Sequence, residues 1–239
     1  MSRNVSGSAT ESAYQHLKHL ILTSELAPGE ELREVALTET TGFGRSPVRE
    51  ALRRLVQEGF VEVRPRQGYR VSVVTLASVQ DLFEMRLVLE PVAVELAAQR
   101  APQEELEELH ALAHKTYVHG DTLSYERFLQ DNREFHVRIA KATGNERLAR
   151  TLQGLLEEMQ RLFFISLGNR DRAAEMVHEH HDLHDALLAR DAPRAREIVV
   201  QQIEASRARV LEGLVSGTGH PNRAATGIVL ADTTAPRRR

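Results

Sequence analysis

Three groups of residues in this 239-residue chain carry side chains able to do chemistry at a spacing that matters. The first is basic. Positions 45–70 hold seven arginines, Arg45, Arg49, Arg53, Arg54, Arg64, Arg66 and Arg70, against the three glutamates Glu50, Glu58 and Glu62. The chain carries a formal net charge of -3, so a polyanion would be met at this stretch and not by a generally basic surface. The second group is rich in histidine. Asn132 and His136 stand four residues apart, as do His180 and His184, a spacing that puts two side chains on one helical face, where they can chelate a cation. Periodicity turns His180, Leu183 and Leu187 inward, keeps His184 near that face and sends His178 and His181 away from it. The third is Arg86, on a segment expected to bury Leu82, Leu89 and Val92. An inward guanidinium needs an anion, and the sequence offers two: a bound carboxylate, or Glu90 one turn on.

The basic group needs a helix that packs on one side only. Ser46 is placed to cap it and Pro47 to open it, and Val48, Leu52, Leu55 and Val56 recur at helical intervals over 47–58. Tyr14, Leu17, Ile21 and Leu22 predict an earlier helix over 11–26, stopped by Pro28-Gly29, and a short second helix follows from Leu32 to about 42. After Gly59, residues 60–64 and 69–73 read as two strands around Pro65-Arg66-Gln67-Gly68. Three helices and a two-stranded wing result. In such a unit the third helix can enter a DNA major groove. Arg45 and Arg49 are then placed for base edges, Ser46 for a base or phosphate, and Arg53 and Arg54, further along, for phosphates. Arg66 and Gly68 at the wing tip face the neighbouring minor groove.

Positions 76–213 carry a net charge of -7 and show six helical segments near 77–99, 102–118, 121–142, 145–167, 171–189 and 191–213, with short breaks. The expected fold is mainly α: an N-terminal winged helix-turn-helix plus a C-terminal antiparallel helical bundle. The corresponding divisions are a flexible 1–10, a DNA-binding 11–74, a helical effector-binding and dimerisation domain over 75–213, and a disordered tail over 214–239. Zero cysteines exclude thiolate catalysis and sulfur-ligated metals. No apolar run reaches membrane-spanning length and the N-terminus lacks a signal-peptide core, so no membrane partner and a cytoplasmic site are expected. Gly42-Phe43-Gly44 lacks the lysine and context of a phosphate loop. Glu104, Glu105, Glu107 and Glu108 read as a solvated face, and Phe163 and Phe164 as core or the wall of a ligand site. No Ser-His-Asp set is justified by separation along the chain. Two other classes stay in view: a metal-dependent hydrolase with a DNA anchor, and a protein-binding adaptor that uses the basic helix.

Residues 15–73 resemble the winged-helix domain of the GntR family of bacterial transcription regulators. The likeness lies in Leu26-Ala27-Pro28-Gly29-Glu30-Glu31-Leu32, in the run Gly44-Arg45-Ser46-Pro47-Val48-Arg49-Glu50-Ala51-Leu52-Arg53-Arg54-Leu55, in Glu58-Gly59 and in Arg66-Gln67-Gly68-Tyr69-Arg70-Val71. Positions 77–210 are similar to the helical effector domain of the FadR-type subfamily, through Glu84 to Pro91, Phe135 to Ala140, Gly144-Asn145 and Asp185-Ala186-Leu187. The resemblance implies a homodimeric repressor or activator on double-stranded palindromic operator DNA, nucleoid-associated when bound, responding to a small organic acid or sugar-derived metabolite. Gly44 departs from the Ser or Thr common in the family, which removes one hydroxyl. In many such domains four side chains bind a divalent cation such as zinc or nickel. The matching positions here are Asn132, His136, His180 and Gln202, and with Arg86 they form the expected effector site. Two of the four are neutral amides, weaker donors than carboxylate or imidazole. A weak or effector-completed metal site and a metal-free polar site both remain open.

Overall fold

The computed structural model describes residues 3–166, 171–216 and 228–229, and the chain divides into two compact units, 1–79 with 221–239, and 80–220. The expected disordered tail lies largely outside the described residues.

In the first unit, α1 (Arg3–Leu22) begins earlier and ends sooner than its apolar spacing predicts. Its end is set by backbone: Ser24 is left-handed at φ 59° and the Leu26 N–H reaches back to the Leu20 carbonyl at 2.9 Å, closing the last turn. Strand β1 (Glu31–Leu32) precedes α2 (Glu34–Thr41), which Gly42 terminates at φ 74° with its N–H on the Thr38 carbonyl. Helix α3 (Arg45–Gln57) follows directly. The wing is β2 (Val61–Arg64) and β3 (Gly68–Val71), paired antiparallel from Val61 opposite Val71 to Arg64 opposite Gly68. The small strand β1 adds to the other edge of β3, giving a three-stranded sheet in the order β1-β3-β2, where the sequence suggested two strands.

Ala13, Tyr14, Leu17 and Ile21 of α1 meet Val48, Ala51, Leu52 and Leu55 of α3, with Leu32, Leu37, Phe60, Val61 and Val71 closing the sides. The apolar repeat therefore consumes one face of α3 and leaves the arginine face outward. Two residues each of β4 (Val74–Thr75) and β5 (Ile228–Val229) pair in parallel.

Helix α4 (Leu76–Arg100) is opened by Thr75 and Ser78, whose backbone N–H groups and hydroxyls bond reciprocally at 3.0 Å. The bundle of the second unit continues with α5 (Gln103–Glu108), α6 (His110–Ala113), α7 (Thr122–Ala142), α8 (Glu146–Ile165), α9 (Ala173–Leu188) and α10 (Ala192–Ser216). Asp121 and Asn145 cap α7 and α8 through their side chains, at the breaks the sequence marks. The single helix expected over 102–118 is instead two short pieces divided at Leu109, and the chain leaves helix at His114. Beyond it the Tyr117 ring packs on Tyr125 and Phe128, and its hydroxyl accepts the Arg172 N–H at 3.1 Å. Pro91 lies inside α4 and withdraws the N–H that would bond the Leu87 carbonyl, immediately after Glu90. Among the described residues no helix is long and apolar enough to cross a membrane.

Candidate functional site

The cap of α3 is Gly44, held extended at φ -66° and ψ 159°, and its carbonyl accepts the Val48 N–H at 3.1 Å. Ser46 is therefore not the cap that its residue type suggests; it is the second residue of the helix, exposed, with its hydroxyl at the N-terminal end. Arg45 is exposed beside it. Gly44 has no hydroxyl to accept from the first N–H groups, so a phosphate oxygen can take that place.

The other arginines divide by partner. Arg49 is held by Glu34 of α2, Nε donating to both carboxylate oxygens at 3.1–3.2 Å and a terminal nitrogen to one of them at 3.0 Å, yet half its side chain is exposed. Arg53 pairs with Glu50, one turn earlier on the same surface, at 2.7 Å. Arg54 faces the other way: it stacks over the Tyr14 ring at 3.5 Å and bridges Glu11 and Glu58. Buried Lys18 joins this knot through Glu58 and Tyr14. Burial would raise the Glu58 carboxyl, but Lys18, Tyr14 and Arg54 hold it below its ordinary value. Arg54 thus ties α3 to α1, a role that spacing along one helix could not reveal.

At the wing tip Arg66 is exposed and left-handed at φ 66°. Gly68 sits at φ 103°, and a Cβ there would come within 2.9 Å of the Leu32 carbonyl oxygen. Glycine is required at 68 by the crossing of β1, whatever the wing touches.

In the helical unit Arg86 is inward, as expected, but its buried companions on α4 there are Phe83, Glu90, Pro91, Ala93, Val94, Ala97 and Ala98. Leu82 and Leu89 are only partly covered and Val92 is exposed, which corrects the face assigned from spacing. Arg86 Nε donates to Glu90 Oε1 at 2.5 Å, and a terminal nitrogen lies 3.5 Å from the Ser206 hydroxyl on α10. His136 Nδ1 stands 3.2 Å from Glu90 Oε2, off the line of a good hydrogen bond. Burial alone would push Glu90 up; the Arg86 guanidinium and the His136 ring outweigh it and bring the carboxyl to about 2.

His180 of α9 completes the cluster, edge-on to His136 with ring centroids 5.5 Å apart and packed on Phe135 at 4.9 Å. Burial, with smaller contributions from His136 and Arg209, lowers its pKa to about 3, so the ring is neutral. Gln202 of α10 donates its amide to the Glu179 carbonyl. Among the described residues, His180 Nδ1 and Gln202 Oε1 are buried without a hydrogen-bond partner. Asn132 is partly exposed one turn before His136. Arg86, His136, His180 and Gln202 are all buried, and the rings of Phe83 and Phe163 lie within about 6 Å of the Arg86 guanidinium.

The donors do not fit a divalent cation. The two imidazoles and two amides bring no negative charge, and the charge of the Glu90 carboxylate beside them is balanced by the buried Arg86 guanidinium, which donates to its Oε1. Among the described residues no three His, Cys, Asp or Glu side chains form a metal-holding group. Asp182 and Asp185 pair with the outer rings of His178 at 3.4 Å and His181 at 3.5 Å.

One group escaped sequence reasoning. His110 and His114 stack at 4.1 Å, His114 meets His181 at 4.9 Å and His110 meets buried His184 at 5.6 Å, while His184 Nε2 donates to the Leu106 carbonyl at 3.2 Å. The i, i+4 spacing of His110 and His114 was the only available signal.

Family models match both units: residues 9–71 match the bacterial regulatory proteins of the gntR family, and residues 81–205 match the FCD domain. The chain belongs to the GntR family of bacterial regulators. Its FCD domain is the effector-binding part of such proteins, and the family is one of non-catalytic DNA-binding transcription regulators. This GntR-family chain is 32% identical over 198 residues to the HTH-type transcriptional repressor GlaR of Escherichia coli, covering 80% of the chain and 90% of GlaR. It is 31% identical over 212 residues to the Nta operon transcriptional regulator of Aminobacter aminovorans, covering 88% and 95% of the two chains. The solved structure of E. coli McbR/YncC shares the fold, with a TM-score of 0.69 at 24% identity over 85% of this chain and 97% of that one.

Proposed function

We propose that this regulator is of the FadR type and acts as a homodimeric repressor of a palindromic operator, releasing DNA when a small organic acid or sugar-derived metabolite enters the FCD domain. One observation carries the DNA-binding part of the reading: α3 buries Val48, Ala51, Leu52 and Leu55 while Arg45, Ser46, Arg49 and Arg53 stay exposed. Arg45 and Arg49 read base edges, Ser46 and the open N-terminus of α3 take phosphate, and Arg53 adds a second phosphate contact. Arg66 reaches the minor groove from the wing, with Gly68 shaping the turn. Arg54 supports the recognition helix from behind, and what charge it offers phosphate is shared with Glu11 and Glu58. Two copies match the two halves of a palindrome.

The effector part rests on the buried Arg86, His136, His180 and Gln202, with Asn132 at their edge. Polar groups left unsatisfied inside a helical domain destabilise it until a ligand bonds them, so binding favours one packing of the helices over another. A change in that packing alters how the two recognition helices meet their half-sites. The test selects genomic fragments with the purified full-length protein, footprints the strongest, and challenges the complex with small acids and sugar derivatives. A protected two-fold site released by one of them supports the reading; equal binding to every duplex opposes it.

A further inference from the structure

The polar cluster of the FCD domain has the place of a cation site and the donors of something else. We propose that it excludes divalent metal and presents His180 Nδ1 and Gln202 Oε1 directly to the effector, which must bring a hydrogen-bond donor for the Gln202 oxygen, as a hydroxylated compound does. The proposal rests on the effector-domain reading above and deepens it.

Charge comes first. A divalent ion among Asn132, His136, His180 and Gln202 would meet four neutral donors, with the Arg86 guanidinium in the same cluster. The charge of Glu90 is already balanced: its Oε1 accepts from Arg86 Nε at 2.5 Å inside a buried environment, so an ion drawing on this carboxylate would weaken its hold on a buried guanidinium, which is unfavourable. His136 is turned by the same carboxylate: its Nδ1 lies 3.2 Å from Glu90 Oε2. Orientation comes second. Gln202 donates an amide hydrogen to the carbonyl of Glu179, the residue before His180, and leaves Oε1 without a donor; His180 Nδ1 is likewise buried without a partner. Gln202 Oε1 can only accept, so a hydroxyl or ammonium of the ligand satisfies it, whereas a carboxylate cannot. The Arg86–Glu90 pair also cancels the charge that would otherwise draw a dianion into the cluster.

The test titrates the full-length protein, freed of metal by chelator, with zinc and with nickel, following heat and thermal stability. Wild type is expected to show no saturable one-to-one binding. Asn132→Asp with Gln202→His supplies a carboxylate and a third imidazole, and is expected to bind either ion at least about 10–100-fold more tightly, the scale on which even outer-shell changes act at metal sites. The two single variants, checked for helicity by circular dichroism, serve if the double variant does not fold. One-to-one binding by wild type that His136→Ala abolishes would overturn the proposal. So would a folded double or single variant that binds no better than wild type, because the amides would then not be what bars the ion. Operator selectivity does not enter this measurement, so its outcome is independent of whether the DNA reading holds.

Discussion

Glu34 on α2 holds Arg49 on α3 by hydrogen bonds of 3.0–3.2 Å, a clamp between the two helices of the reading head. The pair is exposed, and an exposed pair contributes little to stability. Its effect is to fix where the guanidinium points before DNA arrives, since a fork held on one side still offers a donor on the other. Glu34→Ala should free Arg49 to seek any phosphate: affinity for unrelated duplex rises, the ratio of specific to non-specific binding falls, and melting is nearly unchanged. Fluorescence anisotropy at two salt concentrations separates these terms.

The wing has a steric requirement that does not depend on DNA. Gly68→Ala places a methyl group 2.9 Å from the Leu32 carbonyl at a φ of 103°, and should destabilise the first unit by more than the ~1 kcal/mol of an unstrained backbone change. Urea denaturation read from the winged unit measures it. Gln67→Ala, next door and exposed, should leave stability near wild type.

Arg86 and Glu90 should be destabilising when changed singly and tolerated when replaced together. Removing either leaves the other charge buried, at a cost of about 3–5 kcal/mol, whereas a well-packed apolar pair can be neutral. Arg86→Met with Glu90→Leu should therefore melt close to wild type while either single change melts well below it. Equal loss in all three would mean that the pair stabilises by more than mutual neutralisation.

Acid should weaken the helical unit through its inner histidines. Burial holds His180 at about 3, and burial with the nearby His110 lowers His184 against the opposing bond to Leu106. The unfolded rings titrate near 6.5. A folded pKa below the unfolded one means that the fold prefers the neutral ring, so the contribution is complete above pH 6.5 and drains as pH falls toward the folded value. Between pH 7.5 and pH 5, His180 alone should remove about 2 kcal/mol. Glu90, held at about 2 when folded and about 4.3 when unfolded, is charged in both states over most of this window and adds little slope. Urea unfolding at the two pH values should show the loss, and His180→Leu should reduce it.

What could be read before the fold was known follows from the range over which each signal acts. The inward face of α3 was legible because Val48, Leu52 and Leu55 repeat within one helix and nothing else satisfies that repeat. Inward Arg86 was legible for the same reason, but its companions were misassigned: the true buried line runs through Phe83 and Glu90, and Pro91 makes an apolar count over that turn misleading. Strand β1 has two residues, too few to alternate, and exists because β3 offers it an edge. Arg54 and the meeting of His110 and His114 with His181 and His184 depend on partners from other helices, where sequence spacing carries no information. The docking of Tyr117 on the rings of α7 likewise depends on a partner from another element.

On the proposed reading the exposed arginines of α3 recognise a DNA sequence. The most direct measurement compares wild-type and Arg49→Ala protein on the same footprinted operator and on a scrambled duplex at matched salt. Loss of one two-bond base contact should cut discrimination by about 5–150-fold while binding to scrambled duplex changes far less. Discrimination that survives both Arg49→Ala and Arg45→Ala would show that another surface of the protein recognises the operator.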